Sequence, residues 1–354
     1  MSPRRRRYDE SDVRIRPNPR GSRPRTKERP SHDEAVPARV LTVDRGRCTT
    51  LVGEGTDDER TVVAMKAREL GRTGIVVGDR VALVGETSGA TDTLSRIVRV
   101  QPRTGTLRRT ADDTDPVERI IVANVDQLVV VTALADPEPR PRMVDRCLVA
   151  AFDAGLRPLL CLTKADLVDP EAFLNAYGPL DVPAVVTRRE GDRIIGLDDL
   201  RARLEGRESV LVGHSGVGKS TLVNALVPDA DRATGVVNVV TGRGRHTSSS
   251  AYALRLCTPD GEPRGWVVDT PGVRSFGLAH VDPTRLLNAF PDLEPGEAEC
   301  PRGCTHDEEE CALDEFVASG AAGDAGPSRL ASLRRLLRSR QPDPTDEDRA
   351  QGHA

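Results

Sequence analysis

Aromatic side chains are scarce in this chain: five Phe, three Tyr and one Trp make up 3% of its 354 residues. Its cores must therefore be built from Val, Leu, Ile and Ala, and a surface that works by stacking rings has little to draw on. No stretch approaches the roughly 18 uncharged apolar residues of a membrane span. The arginine-rich start has no apolar run behind it, so it lacks the pattern of a secretory signal. Cysteines are few, and seven is an odd count. Cys48, Cys147, Cys161 and Cys257 are scattered, whereas Cys300, Cys304 and Cys311 cluster beside His306. That distribution suits reduced thiols with one metal site in a cytosolic protein, not a disulfide framework.

The net charge of -4 conceals an asymmetry. The first 30 residues carry eleven Arg or Lys against four acids, an excess of seven, so the remainder stands at −11. A basic, Pro-rich arm of this kind cannot bury enough apolar surface to fold alone and reads as disordered. It suits an RNA backbone through counterion release, or it serves only as a solubilising tail.

Short runs rich in Val, Leu and Thr at 40–43, 48–52, 61–65, 81–84 and 94–100 are separated by Gly turns. Five such strands fit a small all-β barrel of the oligonucleotide-binding kind. The segment contains no Phe, Tyr or Trp. If it binds RNA, Arg39, Arg45, Arg47, Arg80, Arg96 and Arg99 are the side chains to read shape and phosphate; otherwise the barrel serves packing alone. Beyond it, apolar strands at 120–122, 128–132, 158–162, 182–187, 209–212 and 266–269 alternate with helical spacing at 143–154, 197–204 and 219–226. Such alternation implies a parallel sheet covered on both faces. Helical patterns return at 283–290 and at 328–340, where Leu330, Leu333, Leu336 and Leu337 share one face.

Gly213-His214-Ser215-Gly216-Val217-Gly218-Lys219-Ser220 follows an apolar strand and opens a helix, as a phosphate loop must. Its glycines let backbone N–H groups approach phosphate oxygens, and the helix N-terminus adds a favourable dipole. Lys219 is placed to reach the β- and γ-phosphates, Ser220 to put its hydroxyl on Mg²⁺ and Thr221 to touch the α-phosphate. His214 occupies a variable position. Asp269-Thr270-Pro271-Gly272 ends another apolar strand: Asp269 suits a Mg²⁺-associated carboxylate and the Gly272 N–H a γ-phosphate contact. Thr247 is the candidate for a mobile threonine that completes the metal shell, within a Gly/Arg/Ser loop.

Thr163-Lys164-Ala165-Asp166 can read guanine. Asp166 would accept from the ring N–H and the exocyclic amine, a donor pair adenine lacks. Lys164 would pack its stem over the base, and Thr163 stands where Asn is usual. This base-reading motif precedes the phosphate loop, the reverse of the ordinary order in GTPases. Cys300-x₃-Cys304-x-His306-x₄-Cys311 supplies three thiolates and one imidazole, a closed tetrahedral set of the structural zinc kind, or else free thiols in an acidic loop.

Base motif, phosphate loop, Gly244-Arg245-His246-Thr247 and Asp-Thr-Pro-Gly in that order resemble the circularly permuted GTPases. With the barrel and the Cys/His cluster, residues 38 to 340 resemble the ribosome small subunit-dependent GTPase A family. The resemblance implies an α/β P-loop GTPase domain, circularly permuted, with an N-terminal OB-like barrel and a C-terminal α-helical zinc-binding domain. The corresponding modules are a basic arm at 1–37, the barrel at 38–103, the GTPase domain at 104–276, the zinc domain at 277–340 and a polar tail at 341–354. It also implies a cytoplasmic monomer that binds GTP and GDP and uses Mg²⁺ and one structural Zn²⁺. Such an enzyme acts on the small ribosomal subunit and its rRNA late in maturation, with turnover stimulated by the subunit. His246 and Lys219 become the catalytic candidates.

Val273 stands where Ras-like enzymes carry a water-positioning glutamine and cannot hydrogen-bond, which implies slow intrinsic hydrolysis. The second guanine-contact loop falls near Thr187-Arg188, and the cysteine spacing is one residue tighter in two places than the family's. A permuted GTPase acting on another RNA target, or a non-hydrolysing RNA-binding module, are the alternative readings.

Overall fold

Five strands, β1 (Val36–Asp44), β2 (Arg47–Val52), β3 (Arg60–Lys66), β4 (Arg80–Val84) and β5 (Ser95–Val100), form the expected N-terminal barrel. The computed structural model describes residues 32–110, 118–227, 251–258, 261–270, 278, 281–282 and 284–340. The arm before residue 32, the tail from 341, and His246, Thr247, Gly272 and Val273 lie outside the described residues. Residues from Glu34 onward belong to one unit. In the barrel β1 pairs antiparallel with β2 and β4, β2 with β3 and β4 with β5, while β3 runs parallel to β5 and closes the circuit. Its core is aliphatic throughout, with Val40, Val62, Ala64, Val81, Leu83 and Ile97 buried.

A hairpin of β6 (Thr106–Arg109) and β7 (Arg119–Ala123) leads into the nucleotide-type sheet. Its strands are β8 (Gln127–Ala133), β9 (Arg157–Thr163), β10 (Ala184–Val186), β13 (Arg207–Val212), β14 (Tyr252–Cys257) and β15 (Pro263–Asp269). A small separate hairpin, β11 (Arg188–Glu190) and β12 (Arg193–Ile195), intervenes in the chain. The spatial order is β10-β9-β8-β13-β15-β14, and β14 hands over to barrel strand β1 through the pair Thr42 and Tyr252. The strands β10, β9, β8, β13 and β15 are mutually parallel; β14 runs antiparallel to β15.

Every residue of β8 is buried, as a central strand covered on both faces requires. Because side chains alternate, Leu128 and Val130 join one core while Val129 and Val131 join the other. Helix α1 (Pro141–Asp153) and the C-terminal helices cover the first face. Helices α3 (Leu197–Leu204) and α4 (Lys219–Leu226) cover the second, and a short α2 (Glu171–Tyr177) lies between β9 and β10 in sequence.

The helix expected at 283–290 is only α5 (Thr284–Leu287). Pro291 follows Phe290, and the residue before a proline is pushed out of helical geometry. α6 (Ala312–Ala318) and α7 (Gly326–Ser339) complete the chain. The leucines of α7 are buried as one face. Its arginines are consumed within the molecule: Arg329 pairs with Asp292, Arg334 with Asp314, Arg335 with Asp145 and Arg338 with Asp307. The strand expected at 182–187 shrinks to Ala184–Val186.

Candidate functional site

The phosphate loop joins the end of β13 to the first residue of α4. A Cβ at Gly213 would meet the Val131 carbonyl oxygen at 2.2 Å, so only glycine lets the loop start this close to β8. Gly218, at the helix N-cap, has a φ of 95°, a left-handed value that side chains resist. Lys219 curls back and its Nζ donates to the carbonyls of Gly213 and His214 at 2.6 and 3.3 Å. Burial lowers its pKa, and Asp269 opposes that shift. Ser215, Gly216, Ser220 and Thr221 are exposed, while Val217 is buried behind them. The His214 Nδ1 lies 2.9 Å from the neighbouring Ser215 carbonyl oxygen.

β9 and β13 flank β8 and run the same way, so the base-reading motif and the phosphate loop emerge on one edge of the sheet. The Thr163 Oγ1 donates to the Val217 carbonyl oxygen at 2.7 Å, which bonds the two motifs directly. Lys164 takes a left-handed φ of 60°, and its Nζ donates to the Asp136 carbonyl. The Ala165 N–H donates to the Thr187 carbonyl at 3.2 Å. Asp166 is exposed, and its Oδ1 accepts from the Arg189 N–H at 3.1 Å. The segment at Thr187-Arg188 therefore sits against the base-reading motif.

Asp269 ends β15 in register with Leu211 of β13 and is 3% exposed. The Tyr252 hydroxyl donates to its Oδ2 at 3.0 Å, while Oδ1 is buried and has no hydrogen-bond partner among the described residues. Burial raises the Asp269 pKa; Tyr252 and then Lys219 work against that rise. The next residue, Thr270, donates its hydroxyl to the Leu211 carbonyl at 2.7 Å, fixing the carboxylate's strand to the strand of the phosphate loop. A buried carboxylate with one oxygen that takes no hydrogen bond among the described residues, close enough to Lys219 to feel its charge, is a donor set that fits Mg²⁺ carried by a nucleotide.

The second cluster lies between Glu294–Glu299 and α6. One ligand atom each from Cys300, Cys304, His306 and Cys311 falls within 4.8 Å of the others. His306 turns Nδ1 inward, 3.6 Å from the Cys300 sulfur and 3.9 Å from that of Cys311. His306 takes a left-handed φ of 70°. Cys311 is the N-cap residue of α6, and the His306 N–H donates to the Cys304 sulfur at 3.3 Å. Both features favour thiolate over thiol. Three sulfurs and one imidazole nitrogen converging in this way fit a closed tetrahedral zinc site.

Arg39 corrects one expectation. It is 2% exposed and cannot meet an RNA backbone. Its guanidinium grips Glu208 of β13 in a bidentate pair at 2.8 and 2.7 Å, reaches Glu54 at 3.1 Å, and lies 4.6 Å from the centre of the Trp266 ring. Trp266 donates its Nε1–H to Glu54 at 2.9 Å, and Arg80 pairs with Glu54 and Glu208 at 3.3 Å. The barrel is thereby locked to the strands that carry the phosphate loop and Asp269. Arg45, Arg47, Arg96 and Arg99 are exposed. Tyr252 is the other residue that sequence reasoning missed; the only signal was its place in the alternating run Tyr252–Cys257 after the candidate switch.

Comparisons with known proteins agree with this geometry. The family model for RsgA GTPase matches residues 100–279. The small ribosomal subunit biogenesis GTPase RsgA of Pseudomonas aeruginosa is 39% identical over 274 residues, covering 75% of this chain and 76% of that protein. Its namesake from Pseudomonas syringae pv. syringae is 38% identical over 275 residues, 75% of each. Among solved structures, YjeQ from Thermotoga maritima superposes with a TM-score of 0.58 and 26% identity, over 86% of this chain and 98% of that one. YloQ, a circularly permuted GTPase, superposes with the same TM-score of 0.58 at 24% identity, over 88% and 98%, and speaks for the fold alone. The chain belongs to the RsgA GTPase family.

Proposed function

We propose that this chain binds the small ribosomal subunit during its maturation and hydrolyses GTP to GDP and phosphate, faster on the subunit than alone. The observation that supports the nucleotide half is the Thr163–Val217 hydrogen bond, which joins the Thr163–Asp166 motif directly to the Gly213–Ser220 loop. The ribosomal half rests on the relatives' name and on extensive likeness to them.

Asp166 and Lys164 hold the guanine, and the Gly213–Lys219 backbone cradles the phosphates, with Lys219 swinging from its loop carbonyls to the β- and γ-oxygens. Ser220, Asp269 and Thr247 are the residues that would hold Mg²⁺, with Gly272 beside the γ-phosphate. Bound there, Mg²⁺ neutralises charge on the phosphate oxygens. Val273 cannot orient water, so His246 takes that role. Cys300, Cys304, His306 and Cys311 would hold one structural Zn²⁺, which supplies cross-linking to a module that has few regular elements of its own.

The modules divide at 38–103, 104–276 and 277–340, and the barrel's exposed arginines and the basic residues of 1–37 supply the charge that binds rRNA. The protein is read as a cytoplasmic monomer; among the described residues no helix is long and apolar enough to cross a membrane. GTP turnover measured with and without purified small subunits tests the proposal, together with competition among GTP, GDP and ATP. Turnover indifferent to subunits removes the ribosomal half; ATP competing as well as GTP removes the guanine reading.

A further inference from the structure

Tyr252 holds a place that the known machinery does not account for. It is the first residue of β14, five positions after Thr247, and it pairs with Asp269 on one side and with Thr42 of the barrel on the other. Its hydroxyl donates to Asp269 Oδ2 at 3.0 Å. A carboxylate at the end of a strand can rotate about its terminal bond, because that torsion is soft. Here one oxygen is held by the phenol, which leaves the other, buried and without a hydrogen bond among the described residues, available to a metal shell. The backbone of Tyr252 is held in the sheet, paired with Asp269 of β15 and Thr42 of β1.

We propose that Tyr252 is a positioning residue for the metal shell: through its hydroxyl it aims the free oxygen of Asp269 at the water ligands of nucleotide-borne Mg²⁺. It also ties that aim to the strand leaving the Thr247 segment. The inference rests on the reading of Asp269 as the Mg²⁺-associated carboxylate. The link from Tyr252 to the metal shell is its hydrogen bond to Asp269.

The test is release of a fluorescent GDP analogue from the full chain across a Mg²⁺ titration, for the unaltered protein, Tyr252→Phe, Asp269→Asn and the double variant. Loss of a hydrogen bond to a charged group moves the Mg²⁺ midpoint about tenfold upward in Tyr252→Phe, with the loss recovered at high Mg²⁺. Asp269→Asn shifts it further, and the double variant matches Asp269→Asn. An unmoved midpoint in Tyr252→Phe, an equal loss at every Mg²⁺ concentration, or a shift that adds to that of Asp269→Asn overturns the proposal. If Asp269→Asn itself leaves the midpoint in place, the reading of Asp269 falls instead. Thermal melting guards against a folding defect. Were Tyr252→Phe to melt early, Tyr252→His, which keeps a ring and a donor, must restore the midpoint, and failure to do so counts against the proposal.

Discussion

The Thr163 hydroxyl donates to the Val217 carbonyl oxygen at 2.7 Å, and both groups are buried. One side chain of the base-reading motif thus holds the middle of the phosphate loop, although 54 positions separate them. Where an asparagine would use its amide, a threonine reaches the same loop with one hydroxyl.

Thr163→Val keeps the shape and removes the donor, leaving the Val217 carbonyl buried and unpaired. That costs about 1–3 kcal/mol. GDP affinity is expected to fall about tenfold, with Thr163→Ser restoring it. Equilibrium titration with a fluorescent GDP analogue reads the change, and an unaltered affinity in Thr163→Val refutes the coupling.

Asp166 is expected to read the exocyclic amine of guanine. Inosine triphosphate lacks that amine and should bind about 10- to 100-fold more weakly than GTP. Asp166→Ala should erase the difference: both nucleotides lose the bond from the ring N–H, and GTP loses the bond from its amine as well. Competition titrations of the two nucleotides check this; a difference that survives in the variant assigns the discrimination elsewhere.

At the seam between barrel and GTPase sheet, Arg39→Ala strands two glutamates and a tryptophan face. Both carboxylates keep some contact with water, so the expected cost is about 2–3 kcal/mol, below that of a fully buried pair. A chain of this size should melt several degrees lower, and the barrel should become more protease-sensitive. Arg39→Met, which fills the space without the charge, should lose less in packing and still lose the lock.

Glu54 supplies a pH signature. Burial pushes its carboxyl up, but Arg39, Trp266 and Arg80 outweigh burial and hold it below the ordinary glutamate value. A folded value lowered in this way stabilises fully above the ordinary range and loses its contribution as pH falls through the lowered value. Melting temperature should therefore drop below about pH 4, and Glu54→Gln should flatten that part of the profile. A variant as acid-sensitive as the parent would place the effect in other carboxylates.

Removal of metal gives a fifth outcome. A strong chelator should lower the melting temperature and open Cys300, Cys304 and Cys311 to alkylation. Cys147 and Cys161, whose thiols burial pushes up to about 12, should stay unreacted while the protein is folded. Mass spectrometry of the labelled chain distinguishes the two groups. Equal labelling of the three before and after chelation would mean that no metal was bound.

The amino-acid order by itself determined whatever depends on backbone need and local spacing. Helices Leu197–Leu204 and Lys219–Leu226 fall where the apolar periodicity puts them. The glycines at Gly213 and Gly218 announce a tight loop because no other residue fits there, and three cysteines and a histidine within twelve positions announce a metal cluster. Partnerships across the sheet were not legible in this way. Arg39 reads as one exposed arginine among six until strand order brings Glu208 and Trp266 to it, and Tyr252 looks like an ordinary strand residue until β14 aligns with β15. A side chain's chemistry is local, whereas its solvent exposure and its partner come from registers joining distant segments. Tertiary packing alone decided those, because burying a charge is tolerable only where another part of the chain arrives to satisfy it.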